Sequence, residues 1–135
     1  CDLQKGVGGF SDKKFRVMAL TDAMPLVTAW ANDTDYSRIF AEQVRTWGRP
    51  NDVLIAISGS GNSPNVINAV EAANEIGMKT IGITGMDGGK LAKIAKFSYI
   101  APSDNMQQIE DVHTVLGHLV FTCVWRENSA GGSCC

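Results

Sequence analysis

Asp52-Val53-Leu54-Ile55-Ala56-Ile57-Ser58-Gly59-Ser60-Gly61-Asn62-Ser63-Pro64-Asn65 is the stretch whose reading decides the fold. Val53 to Ile57 is an unbroken apolar run, the composition of a strand covered on both faces, as in a parallel sheet. Ser63 suits a helix N-cap and Pro64 a first helical position, so a helix is expected through Val66, Ala69, Val70 and Ala73 to Gly77. Between strand and helix, Gly59 and Gly61 let a ligand approach the backbone, and Ser58, Ser60 and Ser63 add hydroxyls. The helix N-terminus adds unpaired N–H groups and the positive end of a dipole. Such a loop is a phosphate cradle without a lysine. No Gly-Lys-Ser/Thr follows, and Pro64 stands where a dinucleotide fingerprint needs its third glycine. The strand ending at Thr84 lacks the terminal acid that grips a ribose, so no nucleotide cofactor is expected. Read locally, the alternative is a well-capped turn with incidental serines.

Working outward, Thr80 to Thr84 and Phe97 to Ile100 read as further buried strands, joined by a turn at Asp87-Gly88-Gly89 and a short helix around Leu91 to Ala95. Asn105 to Arg126 reads as a long closing helix. Toward the N-terminus, Tyr36, Ile39, Phe40, Val44 and Trp47 recur at three- and four-residue spacings, which predicts one amphipathic helix ended by Gly48. Trp30, Phe40 and Trp47 are expected to pack rather than to stack on a ligand. Pro25 opens a short helix to Asn32, Arg16 to Leu20 reads as a short apolar strand, and Gly6 to Lys14 as a loop. Cys1 to Gly6 resembles the last turn of a helix stopped by Gly6. Strands alternating with helices predict an α/β fold: a parallel sheet with helices on both faces, wound right-handed. Ligands then collect beyond the carboxyl ends of the strands, at Thr21 to Asp22, Ser58 to Ser63 and Thr84 to Lys90.

The length suits one domain, residues 1–126, followed by a tail over 127–135 whose Ser-Ala-Gly-Gly-Ser-Cys-Cys ending has nothing to bury and is expected to be disordered. Twelve Lys and Arg against fourteen Asp and Glu, a formal net charge of -2, argue against nucleic acid as a direct partner. No run approaches the roughly 20 apolar residues of a membrane span, and the first residues are not a secretory signal, so a cytoplasmic protein is expected. Cys1, Cys123, Cys134 and Cys135 form no CxxC spacing, and Cys123 is expected to be a reduced core thiol.

In the closing helix Glu110, Thr114 and His118 are spaced by four and share one face, whereas His113 and His118 are five apart and diverge. Glu110 and His118 lie two turns apart, about 12 Å along the axis. They could bracket a sugar or contribute to a metal site completed from elsewhere; the plain alternative is a solvated Glu and an edge His on a helix packed through Val112, Val115, Leu116, Leu119 and Val120. Asn32-Asp33-Thr34-Asp35 is open to two local readings, a sugar-hydroxyl site or an Asx turn with a cap for the helix from Tyr36.

The stretch 52–66, then Ile83-Thr84-Gly85-Met86-Asp87-Gly88-Gly89-Lys90-Leu91, then Glu110-Asp111-Val112-His113 with His118, resembles the phosphoheptose isomerase branch of the SIS (sugar isomerase) family. The similarity runs from Asp2 to about Val124. It implies a three-layer, flavodoxin-like parallel sheet, a homotetramer, aldose-ketose isomerisation of a seven-carbon sugar phosphate, and zinc in some members. Position by position, Ser58, Gly59, Ser60 and Ser63 fall on the phosphate-binding loop, and Asn32 and Asp33 on a pair that lines the sugar. His118 falls on a catalytic and metal-binding histidine. Asp2 stands where the family has a glutamate that is both base and ligand, and Glu110 where the isomerases carry a glutamine. The resemblance thus implies Asp2, Glu110 and His118 as catalytic and metal-binding candidates. It also implies that an N-terminal part of the family domain precedes Cys1. A second class of relatives keeps the serine loop in a non-catalytic regulatory or assembly protein.

Overall fold

A computed structural model describes residues 1–9 and 13–128; the expected tail from Ser129 lies outside the described residues. The chain forms two compact bodies, Leu20–Glu110 and residues 1–19 with the chain from Asp111 onward.

The body Leu20–Glu110 holds α1 (Met24–Asp33), α2 (Ala41–Trp47), β1 (Val53–Ile57), α3 (Pro64–Ile76), β2 (Lys79–Thr84), α4 (Gly89–Ile94), β3 (Phe97–Ile100) and the first turn of α5 (Met106–Asn128). The strands are parallel in the order β1-β2-β3, with Leu54 beside Thr80 and Ala56 beside Gly82. This register puts Leu54, Ala56, Thr80 and Gly82 on one face. Ala56 there joins Ile67 and Val70 of α3 and Leu91 of α4 in a buried cluster. A Cβ on Gly82 would press on Leu91, 3.0 Å away, and on Ala95, 3.2 Å away, so the glycine leaves room for both side chains. Burying a leucine completely, as here, contributes roughly 1.5–3 kcal/mol. A second cluster joins Ala41 and Val44 of α2 to Ala69, Ala72 and Ala73 of α3, the small residues letting the two helices approach closely. Thr80, fully buried, donates to Asn74 Oδ1 at 2.9 Å and accepts Lys96 N at 2.9 Å, tying β2 to α3 and to the entry of β3.

The parallel α/β class expected from the sequence is therefore present, as are β1, β2, β3, α3 and α5 near their expected limits. Gly77 ends α3 with φ +86°, a left-handed conformation that favours glycine. Several local expectations are corrected. Residues 16–20 are not a strand: strand identity comes from pairing and burial rather than from a short apolar run, and Val17 and Met18 are exposed. Thr21 and Asp22 consequently do not follow a ladder strand. The single helix expected over Tyr36 to Trp47 is a 3-10 turn (Tyr36–Arg38) followed by α2. Asp35 accepts Ser37 N at 2.8 Å and caps that tight turn, so the helical path restarts after it. Tyr36 and Trp47 are exposed, because the stripe that packs on α3 is Ala41 and Val44. The opposite face of the sheet is not buried at β1 and β3: Val53, Ile55, Ile57, Phe97 and Tyr99 are 39–57% exposed.

In the other body, residues Asp2–Val7 form a π-helical turn that continues through Gly6 instead of stopping there. Phe121 of α5 occupies the place of a Gly6 Cβ, 2.6 Å away, so this glycine serves close packing and the turn ends at Gly8. Cys123 is an exposed free thiol rather than a core residue, and Val115, Leu119 and Val120 are exposed as well. Periodicity orders the face of a helix, but whether that face is buried depends on what packs against it. No helix among the described residues is long and apolar enough to cross a membrane.

Candidate functional site

Three segments of the body Leu20–Glu110 meet at the carboxyl ends of β1 and β2. They are the loop Ser58 to Ser63, the turn Gly85 to Gly88 leading into α4, and the first turn of α5. Ser58 prolongs the ladder by donating its N–H to Ile83 O at 3.0 Å, and Gly85 N donates to Gly59 O at 2.9 Å. A Cβ at Gly59 would meet Met106 Sδ at 2.5 Å, and one at Gly85 would strike Ile109, which is fully buried. Both glycines are thus required by the helix laid across the strand ends. Asn105 caps α5 by accepting Gln108 N at 3.2 Å.

Within the loop the Ser58 and Ser63 hydroxyls lie 3.0 Å apart. Ser63 occupies the N-cap of α3, as expected, but makes no side-chain capping bond; its hydroxyl is turned to Ser58 instead. A helix whose N-cap side chain is turned elsewhere leaves an orphan N–H for another acceptor. Among the described residues the amides of Gly59, Ser60 and Ser63 donate no hydrogen bond. Three open N–H groups and three hydroxyls around a 13-residue helix start make an anion-receptive junction.

The other sequence candidates are placed as follows. Asn32 and Asp33 form the exposed last turn of α1, with Asn32 Nδ2 donating to Asp33 Oδ1 at 2.8 Å. The cap expected within Asn32 to Asp35 is supplied by Asp35, and its hydrogen bonds from Ser37 hold its carboxyl below the usual range. Glu42 is likewise lowered, chiefly by the hydrogen bond from Arg38, against the opposing effect of burial. Glu110 is exposed in the first turn of α5, directly after Ile109. In the other body Asp2 Oδ2 and His118 Nε2 stand 4.0 Å apart, both side chains more than half exposed. Structural zinc asks for four protein donors and catalytic zinc for three. Among the described residues no three His, Cys, Asp or Glu side chains converge on a metal-sized site. The described donors therefore do not compose a zinc site.

Sequence reasoning passed over Asn62. Its side chain accepts Lys90 N at 3.0 Å and donates to Ser60 O at 3.0 Å, linking the serine loop to α4. Lys90 in turn pairs with Glu71 of α3 at 2.7 Å. Nothing periodic marks such residues; only the glycines at 61, 88 and 89 hint that two backbones cross here.

Fold and loop together define a parallel α/β domain with an anion-receptive strand-to-helix junction. The SIS domain family model matches residues 6–85. The chain belongs to that family. The phosphoheptose isomerase of Helicobacter pylori (strain HPAG1) is 41% identical over 114 residues, covering 84% of this chain and 59% of its own length. That of Rhodospirillum rubrum is 47% identical over 103 residues, covering 76% of this chain and 55% of its own. The solved phosphoheptose isomerase of Neisseria gonorrhoeae superposes with a TM-score of 0.78 at 42% identity, over 79% of this chain and 61% of that one. The chain thus spans 55–61% of the length of these relatives.

Gly61 has φ +67°, and a Cβ there would strike the Gly88 carbonyl. Gly61→Ala is expected to cost about 2 kcal/mol or more, since left-handed backbone alone costs a non-glycine residue roughly 1–3 kcal/mol. Urea denaturation measures this, and an unchanged midpoint contradicts the crossing described.

Proposed function

We propose that this chain serves a sedoheptulose 7-phosphate isomerase, with the loop Ser58 to Ser63 holding the phosphate. The observation that carries this is the set of open amides at Gly59, Ser60 and Ser63 beside the Ser58, Ser60 and Ser63 hydroxyls. The isomerase identity of relatives at 41% and 47% identity supports the heptose phosphate as substrate. Isomerisation moves a proton between adjacent carbons through an enediol, which needs a carboxylate base and a group that serves the oxygens. Asp2 or Glu110 is proposed as the base and His118 as the oxygen-side acid-base group. Asn32 and Asp33 are proposed as sugar-hydroxyl contacts. A cytoplasmic setting belongs to the same proposal.

The substitution of Glu110 for the glutamine of the isomerases favours a second reading, a phosphosugar-binding protein without turnover. Calorimetric titration with sedoheptulose 7-phosphate, with and without zinc, followed by assay for aldose product, separates the two. The isomerase binds and turns over, and His118→Ala lowers turnover about a hundredfold to ten-thousandfold. Binding without turnover, lost in Ser60→Ala but kept in His118→Ala, establishes the second reading. No binding overturns the cradle.

Self-association, with a homotetramer as the proposed form, is supported by the exposed apolar row Val53, Ile55, Ile57, Phe97 and Tyr99. Sedimentation velocity is expected to show assemblies that grow with concentration; a monodisperse monomer contradicts it.

A further inference from the structure

Asn62 makes no use of the anion-receptive face of the loop, yet each of its polar groups described here is directed at holding that face in place. Its Nδ2 donates to Ser60 O at 3.0 Å, and its backbone N–H reaches Ser60 Oγ at 3.3 Å. Its Oδ1 accepts Lys90 N at 3.0 Å in the first turn of α4, where Gly61 O also accepts Leu91 N at 2.9 Å. Because a peptide unit is planar and trans, fixing a carbonyl fixes the next residue's N–H in the opposite direction. Gly85 N fixes Gly59 O and thereby aims the Ser60 amide; Gly61 N fixes Ser58 O at 2.9 Å and aims the Gly59 amide. Asn62 fixes Ser60 itself, at its carbonyl and, more loosely, at its hydroxyl.

This reach depends on two backbones passing without side chains between them. A Cβ on Gly61 would strike Gly88 O, and one on Gly89 would meet Ser60 O at 2.6 Å and Asn62 Nδ2 at 2.7 Å. Gly89 itself has φ +55°, and the Gly88 that precedes it φ +84°. The α4 end of the contact is anchored in turn, since Lys90 Nζ pairs with Glu71 Oε1 of α3 at 2.7 Å. Among the described residues, Asn62 is therefore the side chain of the loop that bridges it to a separately anchored element.

We infer that Asn62 is a positioning residue of the phosphate cradle: it holds Ser60, and through the Ser60–Gly61 peptide, whose N–H donates to Ser58 O, it helps to aim the Gly59 amide at an oxyanion without touching the ligand. This rests on the cradle reading above. It also gives the Asp87-Gly88-Gly89-Lys90 turn a role in affinity, because that turn supplies the N–H that Asn62 accepts.

Inorganic phosphate is titrated calorimetrically into the full chain and into Asn62→Ala, Asn62→Asp and Ser60→Ala, with a urea denaturation of each. Asn62→Ala is expected to weaken phosphate binding about tenfold or more, the scale of one well-placed charge-assisted hydrogen bond. Asn62→Asp keeps the acceptor for Lys90 N, and with it the fold, but cannot donate to Ser60 O, so it loses affinity at a urea midpoint close to the unsubstituted chain. A purely structural residue would move the midpoint and leave the affinity of the folded protein unchanged. Unchanged affinity in both Asn62 variants, with Ser60→Ala impaired, overturns the positioning role and leaves the cradle standing. Absence of phosphate binding by the unsubstituted chain overturns the cradle and this inference with it.

Discussion

The crossing of two glycine-bearing backbones, Gly61 over Gly88 and Gly89, is the constraint on which the rest of the site depends. It brings the loop after β1 within hydrogen-bond reach of the first turn of α4, where Leu91 N meets Gly61 O and Lys90 N meets Asn62 Oδ1. With Gly59 O held by Gly85 N and Ser58 O by Gly61 N, the planar peptides turn the Ser60 and Gly59 amides to the other side of the loop. The Ser63 hydroxyl pairs with that of Ser58 and accepts no bond from the start of α3. Capping its own helix would have stabilised α3 by about 1 kcal/mol. Leaving that bond unmade is the kind of local concession found where a ligand completes the structure.

The scaffold beneath the loop is conventional, and its regularity keeps the loop in place. Ala56, Ile67, Val70 and Leu91 bury the contact between the sheet and the two helices that follow β1 and β2. Ile109 closes the strand ends against Gly85. The functional loop is thus bounded by packed apolar groups on rigid elements, and its amides are set by neighbours that have little freedom to move.

What the sequence made legible were the features encoded locally and repeatedly. The apolar run of β1, the Ser63-Pro64 start of α3 and its Gly77 stop each follow from residue-level physics and stand where expected. The tight junction between β1 and α3 was legible for the same reason, because glycines and serines between a strand and a helix mark a short turn. What stayed hidden depended on partners distant in sequence. Residues 16–20 have the composition of a strand but no pairing, and Gly6 resembled a helix stop although it makes room for Phe121. Cys123 and Trp47 lie on apolar helical stripes, yet are exposed because nothing among the described residues buries those positions. Composition alone did not say which of Asn32 to Asp35 caps; Asp35 does, because the tight turn begins at the next residue, Tyr36. The role of Asn62 needed the 28-residue separation to Lys90 closed, which no periodicity announces.

The site as described turns on the amides of Gly59, Ser60 and Ser63 being presented together to an oxyanion. Heteronuclear amide NMR of the chain titrated with inorganic phosphate tests it residue by residue. Saturable downfield shifts are expected at those three amides, with Ser58 N and Gly61 N, already bonded within the fold, responding less. Shifts spread evenly over the surface, or none at Gly59, Ser60 and Ser63, would contradict it.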